Sequence, residues 1–191
     1  MKKARVVTDL DMDRISVLTD KIDTLDMLKD EVEFRMIGLG VESVKIRDVP
    51  ALSYSLIVPG LYQSALIENE DIQILDDLGI NVVIDCNTEA EGGFDPYDPS
   101  LISYLFWPIE DCATLPDLDE LKAVAMFGLA YWKKGLKVLT HCAAGLNRSG
   151  LVNGRILVAS GMSGINVVNL IQQQRPGALN NQVFANYLKS L

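Results

Sequence analysis

Histidine is nearly missing from this chain: its 191 residues hold one, His141. Cysteine is scarce too, three residues in all, an odd number that excludes a disulfide scaffold in a chain of this length. A reducing compartment, cytoplasmic or nuclear, is the setting to expect. Long apolar runs are absent. None approaches the roughly 20 residues that a membrane-spanning helix needs. Met1-Lys2-Lys3 opens onto no hydrophobic stretch of signal-peptide length, only Val6-Val7 before the acids begin. Positive charge is outweighed, with 17 Lys and Arg against 26 Asp and Glu for a net charge of -9 and a pI of about 4.6. That balance argues against a nucleic-acid partner and against stable association with anionic membranes, while leaving room for a local basic pocket. There is no low-complexity tract and no internal repeat. What is there is ordinary globular composition, 49% hydrophobic and 23% charged, in a chain long enough for one domain with a full core.

Residues 1–50 read differently from the rest. Asp9, Asp11, Asp13, Asp20, Asp23, Asp26 and Asp30 punctuate a weak helical pattern of Leu18, Ile22, Leu25 and Val32. Glu42 to Arg47 alternates like a strand, and Pro50 closes the segment. It carries no recognisable chemistry and is expected to be an extra layer on the domain or a surface for a protein partner.

Residues 51–191 carry an α/β pattern. Short strands are expected at Leu56–Val58 and Leu61–Tyr62 around the Pro59-Gly60 turn. A helix capped by Asn69 carries Ile72, Leu75 and Leu78 and stops at Gly79. The β-branched run Ile80–Ile84 suits a strand buried on both faces, and Ile102–Trp107 is another apolar strand. Asp117 or Asp119 caps a helix with Leu121, Val124, Ala125, Gly128, Leu129 and Trp132 on one face, ended by Lys133, Lys134 and Gly135. Trp107 and Trp132 are expected in the core. Val138–Thr140 is a strand, and helices at Ser149–Ser160, Ile165–Gln174 and Gln182–Leu191 close the chain. Strands alternating with helices predict a largely parallel central sheet flanked by helices.

The chemistry concentrates in residues 141–150, HCAAGLNRSG, which spell C-x5-R between a buried strand and a helix. Such a junction lies at the carboxyl edge of the sheet, where α/β proteins bind ligands. Ala143, Ala144 and Gly145 are small enough for backbone N–H groups to converge, and Gly145 can take the positive φ of an anion nest; Leu146 and Asn147 complete the loop. The next helix aims its N-terminus at the same point, and Arg148 adds a planar fork for two phosphate oxygens. This is a site for a tetrahedral dianion. Cys142 stands at its centre, where the positive field favours a thiolate, the form that attacks phosphorus. Ser149 can donate a hydrogen bond to the sulfur or simply cap the helix. His141 is expected to position the loop rather than to act as a base. The leaving oxygen needs a proton. The loop Trp107–Pro116 supplies acids at the same sheet edge, with Asp111 the first choice and Glu110, Asp117 and Asp119 its rivals.

His141-Cys142-x5-Arg148-Ser149 resembles the signature of cysteine-dependent protein phosphatases, dual-specificity branch. Pro59-Gly60-Leu61-Tyr62-Gln63-Ser64, Pro108-Ile109-Glu110-Asp111 with Pro116, and Arg175-Pro176 followed by Asn181-Gln182-Val183-Phe184 resemble other signatures of that branch. The second is closest to the cyclin-dependent-kinase-associated type. The likeness spans about residues 55–191. It implies a phosphocysteine at Cys142, phosphate held by Arg148 and the loop amides, Asp111 as acid and then base, and neither metal nor cofactor. The expected substrate is a phosphoprotein, bearing phosphotyrosine and also phosphoserine or phosphothreonine. No counterpart of the tyrosine-recognition loop of classical tyrosine phosphatases is found, and the signature loop lacks the basic residues typical of 3-phosphoinositide phosphatases.

Two alternatives belong beside that reading. One is a phosphatase of a non-protein substrate: a phosphoinositide, a phosphoglucan or an RNA 5′-phosphate. The other is a non-catalytic phospho-binding module, which the retention of Cys142, Arg148 and an upstream acid argues against. A redox switch is a further expectation. Cys86 ends the Ile80–Asp85 run at the edge where Cys142 ends its own strand, and some members of the resembled family place a resolving cysteine just there. Cys112, beside Asp111, is the competing partner. Asn181 is read as a helix N-cap.

Overall fold

The computed structural model describes residues 52–88 and 103–191, all within the compact unit Pro50–Leu191. The expectations for residues 1–50 lie outside the described residues. Five strands form one mixed sheet: β1 (Tyr54–Val58), β2 (Leu61–Ser64), β3 (Val82–Asp85), β4 (Ser103–Phe106) and β5 (Val138–His141), in the order β1-β2-β5-β3-β4. β1 pairs antiparallel with β2 across the Pro59-Gly60 turn, where Gly60 takes a φ of +82°. The remaining pairings are parallel.

Register is what builds the site. Ser64 pairs with His141, His141 with Asp85, and Asp85 with Phe106, so four parallel strands end in one row. Cys142 and Cys86 are the next residues of neighbouring strands, and the Cys86 amide donates to the His141 carbonyl at 2.9 Å. The Ile80–Ile84 run does lie between two apolar layers. Val82 and Ile84 join Leu61 and Val138 in the larger core, while Val83 joins Tyr62 and Leu139 in a smaller one under α1 (Ile72–Leu78), around Leu75. Alternation of side chains along an extended strand produces that split.

Four further helices take part in the larger core: α2 (Leu118–Lys133), α3 (Arg148–Ala159), α4 (Gly164–Gln174) and α5 (Gln182–Lys189). α3 is buried on nearly every side, from Arg148 through Gly154 and again at Ile156 and Leu157. The expected apolar face of α2, Leu121, Val124, Ala125, Gly128 and Leu129, is buried. Of the two candidate caps, Asp117 serves, accepting from the Asp119 and Glu120 amides at 2.9 Å each.

Three expectations change. Asn69 is not the cap before α1: it opens a 3-10 turn, Asn69–Asp71, fastened by the Glu68 amide donating to Asp71 at 3.0 Å. Asp71 competes better because it sits one turn in, where a carboxylate can reach back to the preceding N–H. Trp107 and Trp132 are half-buried rather than core. Their indole N–H groups draw them to the surface, donating to Glu120 at 3.1 Å and to the Pro59 carbonyl at 2.9 Å. α5 stops at Lys189, two residues short of the expected end.

Candidate active site

In the loop between β5 and α3, the carbonyls of Ala143, Ala144, Gly145 and Leu146 each accept from a donor outside the loop. The Ala143 carbonyl accepts from the Leu66 amide at 3.1 Å, and that of Leu146 from the Leu179 amide at 3.2 Å. The Gly145 carbonyl accepts from Gln63 Nε2 at 2.9 Å and from Arg175 Nε, whose Nη2 also reaches the Ala144 carbonyl at 3.3 Å. With the carbonyls held from outside, the amides of Ala143 through Asn147 donate to no protein acceptor among the described residues. Backbone donors presented together in this way make an anion nest. Gly145 is required for two reasons. Its φ is +67°, and a Cβ there would lie 2.4 Å from the Ser64 backbone carbon.

Cys142 lies at the floor of this loop, 2% exposed. Its Sγ is 3.4 Å from Ser149 Oγ on the first turn of α3. Arg148 is buried as well, and its Nη1 donates to the Cys86 and Ile109 carbonyls, both at 3.4 Å. One guanidinium thus ties together the segment after β3, the loop after β4 and the C-x5-R loop. A short spine supports the loop from below. Thr140 donates to Asn153 at 2.9 Å, Asn153 donates to the Tyr62 carbonyl at 3.0 Å and to Gln63 at 3.4 Å, and Gln63 donates to Gly145.

His141 is fully buried beneath the loop, with Nε2 3.4 Å from Asp85 Oδ1 and Nδ1 3.4 Å from Asn87 Nδ2. Burial lowers its pKa to about 4, outweighing the opposite pull of Asp85, so the ring is neutral near pH 7. The ring is enclosed there, with no surface of its own exposed. Asp85 also accepts from the Asn87 amide at 2.8 Å and from the Tyr104 hydroxyl at 2.6 Å. Burial, and then that bond, push the Tyr104 phenol well above its ordinary pKa.

The acids of the Trp107–Pro116 loop and its flank separate by geometry. Asp111 Oδ2 accepts from Asn147 of the C-x5-R loop at 2.9 Å, and its Oδ1 accepts from Asn181 at 2.8 Å. Asp117 is spent on the α2 cap, Asp119 lies in the first turn of that helix, and Glu110 is exposed. Of the four, Asp111 is the one that a hydrogen bond of ordinary length joins to the C-x5-R loop. A cleft lined by Pro108, Glu110, Leu115 and Asp117 lies along the same loop and includes none of residues 141–149.

Cys86 is buried beside the site, its thiol pushed well up by burial, then by the charge at Cys142 and that of Asp85, with Arg148 pulling the other way. Cys112 is exposed. Asn181 is the expected N-cap of α5, accepting from the Val183 and Phe184 amides, and it also bonds Asp111, which the cap reading alone does not require. Sequence reasoning missed Gln63, Asp85, Asn87 and Asn153, and assigned no contact to Arg175. A signal was present: the polar residues Gln63-Ser64, Asp85 and Thr140-His141 close strands whose earlier residues are apolar or aromatic.

Fold and loop together have the form of a C-x5-R phosphatase domain. Residues 61–191 match the family model for the dual specificity phosphatase catalytic domain, and the chain belongs to that family. The match does not single out the cyclin-dependent-kinase-associated type. A stretch of 88 residues is 28% identical to protein tyrosine phosphatase type IVA 3 of Mus musculus, covering 46% of this chain and 51% of the relative. The match thus spans about half the length of that relative. Among solved structures, Tk-PTP in its active form is similar at 26% identity and a TM-score of 0.62, covering 75% of this chain and 97% of the other. The human tyrosine phosphatase-like serine/threonine/tyrosine-interacting protein shares the fold at 23% identity and a TM-score of 0.64, covering 72% and 94%. PTPMT1 in complex with PI(5)P does so at 21% and 0.60, covering 72% and 97%. Among the described residues, no helix is long and apolar enough to cross a membrane.

Proposed function

We propose that this chain is a protein phosphatase that hydrolyses phosphotyrosine, and also phosphoserine or phosphothreonine, through a phosphocysteine intermediate. One observation carries the reading. A buried cysteine lies at the floor of a loop whose carbonyls at residues 143–146 are held by donors from outside it, so that its amides are left to a tetrahedral anion. In the first step Cys142 Sγ attacks phosphorus, an S–P bond forms and the P–O bond to the leaving oxygen breaks. Arg148 and the amides of residues 143–147 hold the charge on the equatorial oxygens. Asp111 gives its proton to the leaving oxygen. In the second step Asp111, now a carboxylate, takes a proton from water as the water attacks phosphorus. The S–P bond breaks, with Ser149 stabilising the departing thiolate by its hydroxyl. No step uses a metal or a cofactor.

A protein substrate is favoured over a polyphosphorylated lipid or RNA. The C-x5-R loop holds no lysine, and Glu110, Asp111, Asp117, Asp119 and Glu120 are exposed on the flanking loop and helix, where they repel added phosphates. A cytoplasmic or nuclear site of action fits the unpaired cysteines. Residues 1–50 are proposed as a surface for a protein partner.

The test is steady-state hydrolysis of an aryl phosphate beside panels of phosphopeptides, phosphoinositides and 5′-phosphorylated RNA, with Cys142→Ser as control. Turnover of phosphopeptides that vanishes in the control is the expected result. Turnover confined to the lipids or to RNA would replace the protein-substrate reading, and vanadate binding without any turnover would mark a binding module.

A further inference from the structure

We infer that Asn181 is a positioning residue for the acid: one end of its side chain starts α5, and the other holds Asp111 against the C-x5-R loop. The inference rests on the reading of Asp111 given above. Asn181 Oδ1 accepts from the Val183 amide at 3.0 Å and from the Phe184 amide at 3.4 Å. With the oxygen fixed there, the amide cannot turn over, and both hydrogens of Nδ2 are committed to the acid loop. One goes to Asp111 Oδ1 at 2.8 Å and the other to the Cys112 carbonyl at 2.9 Å.

Asn147 is fixed by the same logic. Its Oδ1 accepts from the Asn181 amide at 3.0 Å, and its Nδ2 donates to Asn180 at 2.7 Å as well as to Asp111. Asp111 is therefore gripped at both oxygens, by one amide from the C-x5-R loop and one from the start of α5. The grip matters because residues 107–117 form no regular element between β4 and α2, and Asp111 itself is exposed. Beyond Asn147 and Asn181, the loop is held by the Trp107 amide donating to the Asp85 carbonyl at 2.8 Å, at its start, and by the 3.4 Å bond of Arg148 to the Ile109 carbonyl. A mobile acid is a poor proton donor, since proton transfer needs its oxygen within hydrogen-bond reach of the leaving group. Asn181 thus links the C-terminal helix to the proton-transfer step.

Capping and positioning can be separated by substitution. Asn181→Ser keeps an N-cap oxygen but has no N–H to offer and is too short to reach Asp111. Asn181→Asp also keeps the cap, and turns a donor into a carboxylate facing a carboxylate. Wild type, both variants and Asp111→Asn are compared on phenyl phosphate, whose leaving group needs a proton, and on dinitrophenyl phosphate, whose leaving group does not. For the Asn181 variants kcat on phenyl phosphate is expected to fall about 10–100-fold, below the roughly 10²–10⁴ of losing the acid itself. The loss on dinitrophenyl phosphate is expected to be at least several-fold smaller, with KM and vanadate affinity unchanged. Melting temperatures within a few degrees of wild type show that the cap survives. If Asp111→Asn lowers phenyl phosphate turnover selectively while both Asn181 variants keep the wild-type ratio of the two rates, Asn181 is a cap and nothing more. Equal losses on both substrates with a lowered melting temperature overturn the inference in the same way. If Asp111→Asn itself leaves the ratio unchanged, the assignment of the acid is what fails, and the inference fails with it.

Discussion

Cys142 and Arg148 stand one loop apart, and the difference between their chemistries is open to single substitutions. Cys142→Ser removes the nucleophile but leaves the amides and the guanidinium, so turnover is expected to vanish while vanadate still binds. Turnover near the wild-type level would remove the covalent mechanism. Arg148→Lys replaces a fork that reaches both the Cys86 and Ile109 carbonyls with a point charge, and should lose both turnover and the tie between those segments. Gly145 gives the sharpest steric case. An added Cβ would lie 2.4 Å from the Ser64 carbon and 2.5 Å from the Ala65 nitrogen. Both are backbone atoms of the neighbouring strand's end and cannot rotate away, and a left-handed φ adds roughly 1–3 kcal/mol of strain. Gly145→Ala is therefore expected to weaken vanadate binding at least tenfold and to lower kcat with it, as read by calorimetry and by aryl phosphate hydrolysis. Wild-type vanadate affinity in that variant would mean that the loop tolerates displacement.

Strands and helices were largely legible because their physics is local. The β-branched run before Asp85, the apolar stripe of α2 and the Gly79 stop each declare themselves within a few residues. So did C-x5-R, since an anion nest needs small residues, an arginine and a helix start in one short stretch. What was not legible depends on register. Nothing local tells that Gln63 sits under Gly145, that Asp85 lies beside His141, or that Arg175, 30 residues on, closes over the Gly145 carbonyl. Register also bears on the redox expectation. Parallel pairing of β3 with β5 sets Asp85 opposite His141, which brings Cys86 and Cys142 out at adjacent strand ends, whereas Cys112 lies on the exposed acid loop. Peroxide would first convert Cys142 to a sulfenic acid; the Cys86 thiol then attacks that sulfur, forming the disulfide and releasing water. Because burial keeps Cys86 protonated, closure of the disulfide is expected to be slower than oxidation of Cys142. Non-reducing peptide maps after peroxide should show a Cys86–Cys142 crosslink, with activity restored by dithiothreitol. Cys86→Ser should lose that recovery. A map showing Cys112 joined to Cys142 instead would transfer the role.

At the scale of the whole domain, the site sets a condition on folding. The four parallel strands end in Ser64, His141, Asp85 and Phe106, and the imidazole in that row is buried by the sheet and by the loop above it. Its folded pKa of about 4 lies below the ordinary 6.5, so between those values the unfolded chain binds a proton that the folded domain refuses. Stability from this group is fully present above about pH 6.5 and is lost as pH falls toward 4, below which both states are protonated and the dependence ends. That lowering corresponds to about 3 kcal/mol, a large share of the 5–15 kcal/mol typical of a domain. Urea unfolding followed from pH 7.5 to 4.5 should therefore show the midpoint dropping steadily below pH 6.5. His141→Gln separates this group from the carboxylates that titrate nearby, because glutamine takes up no proton. Whatever its absolute stability, that variant should lose most of the slope between pH 6.5 and 5, where few carboxylates titrate. An unchanged slope in His141→Gln would mean that the folded domain already carries the proton on His141, and that the ring beneath the loop is an imidazolium paired with Asp85 rather than a neutral support.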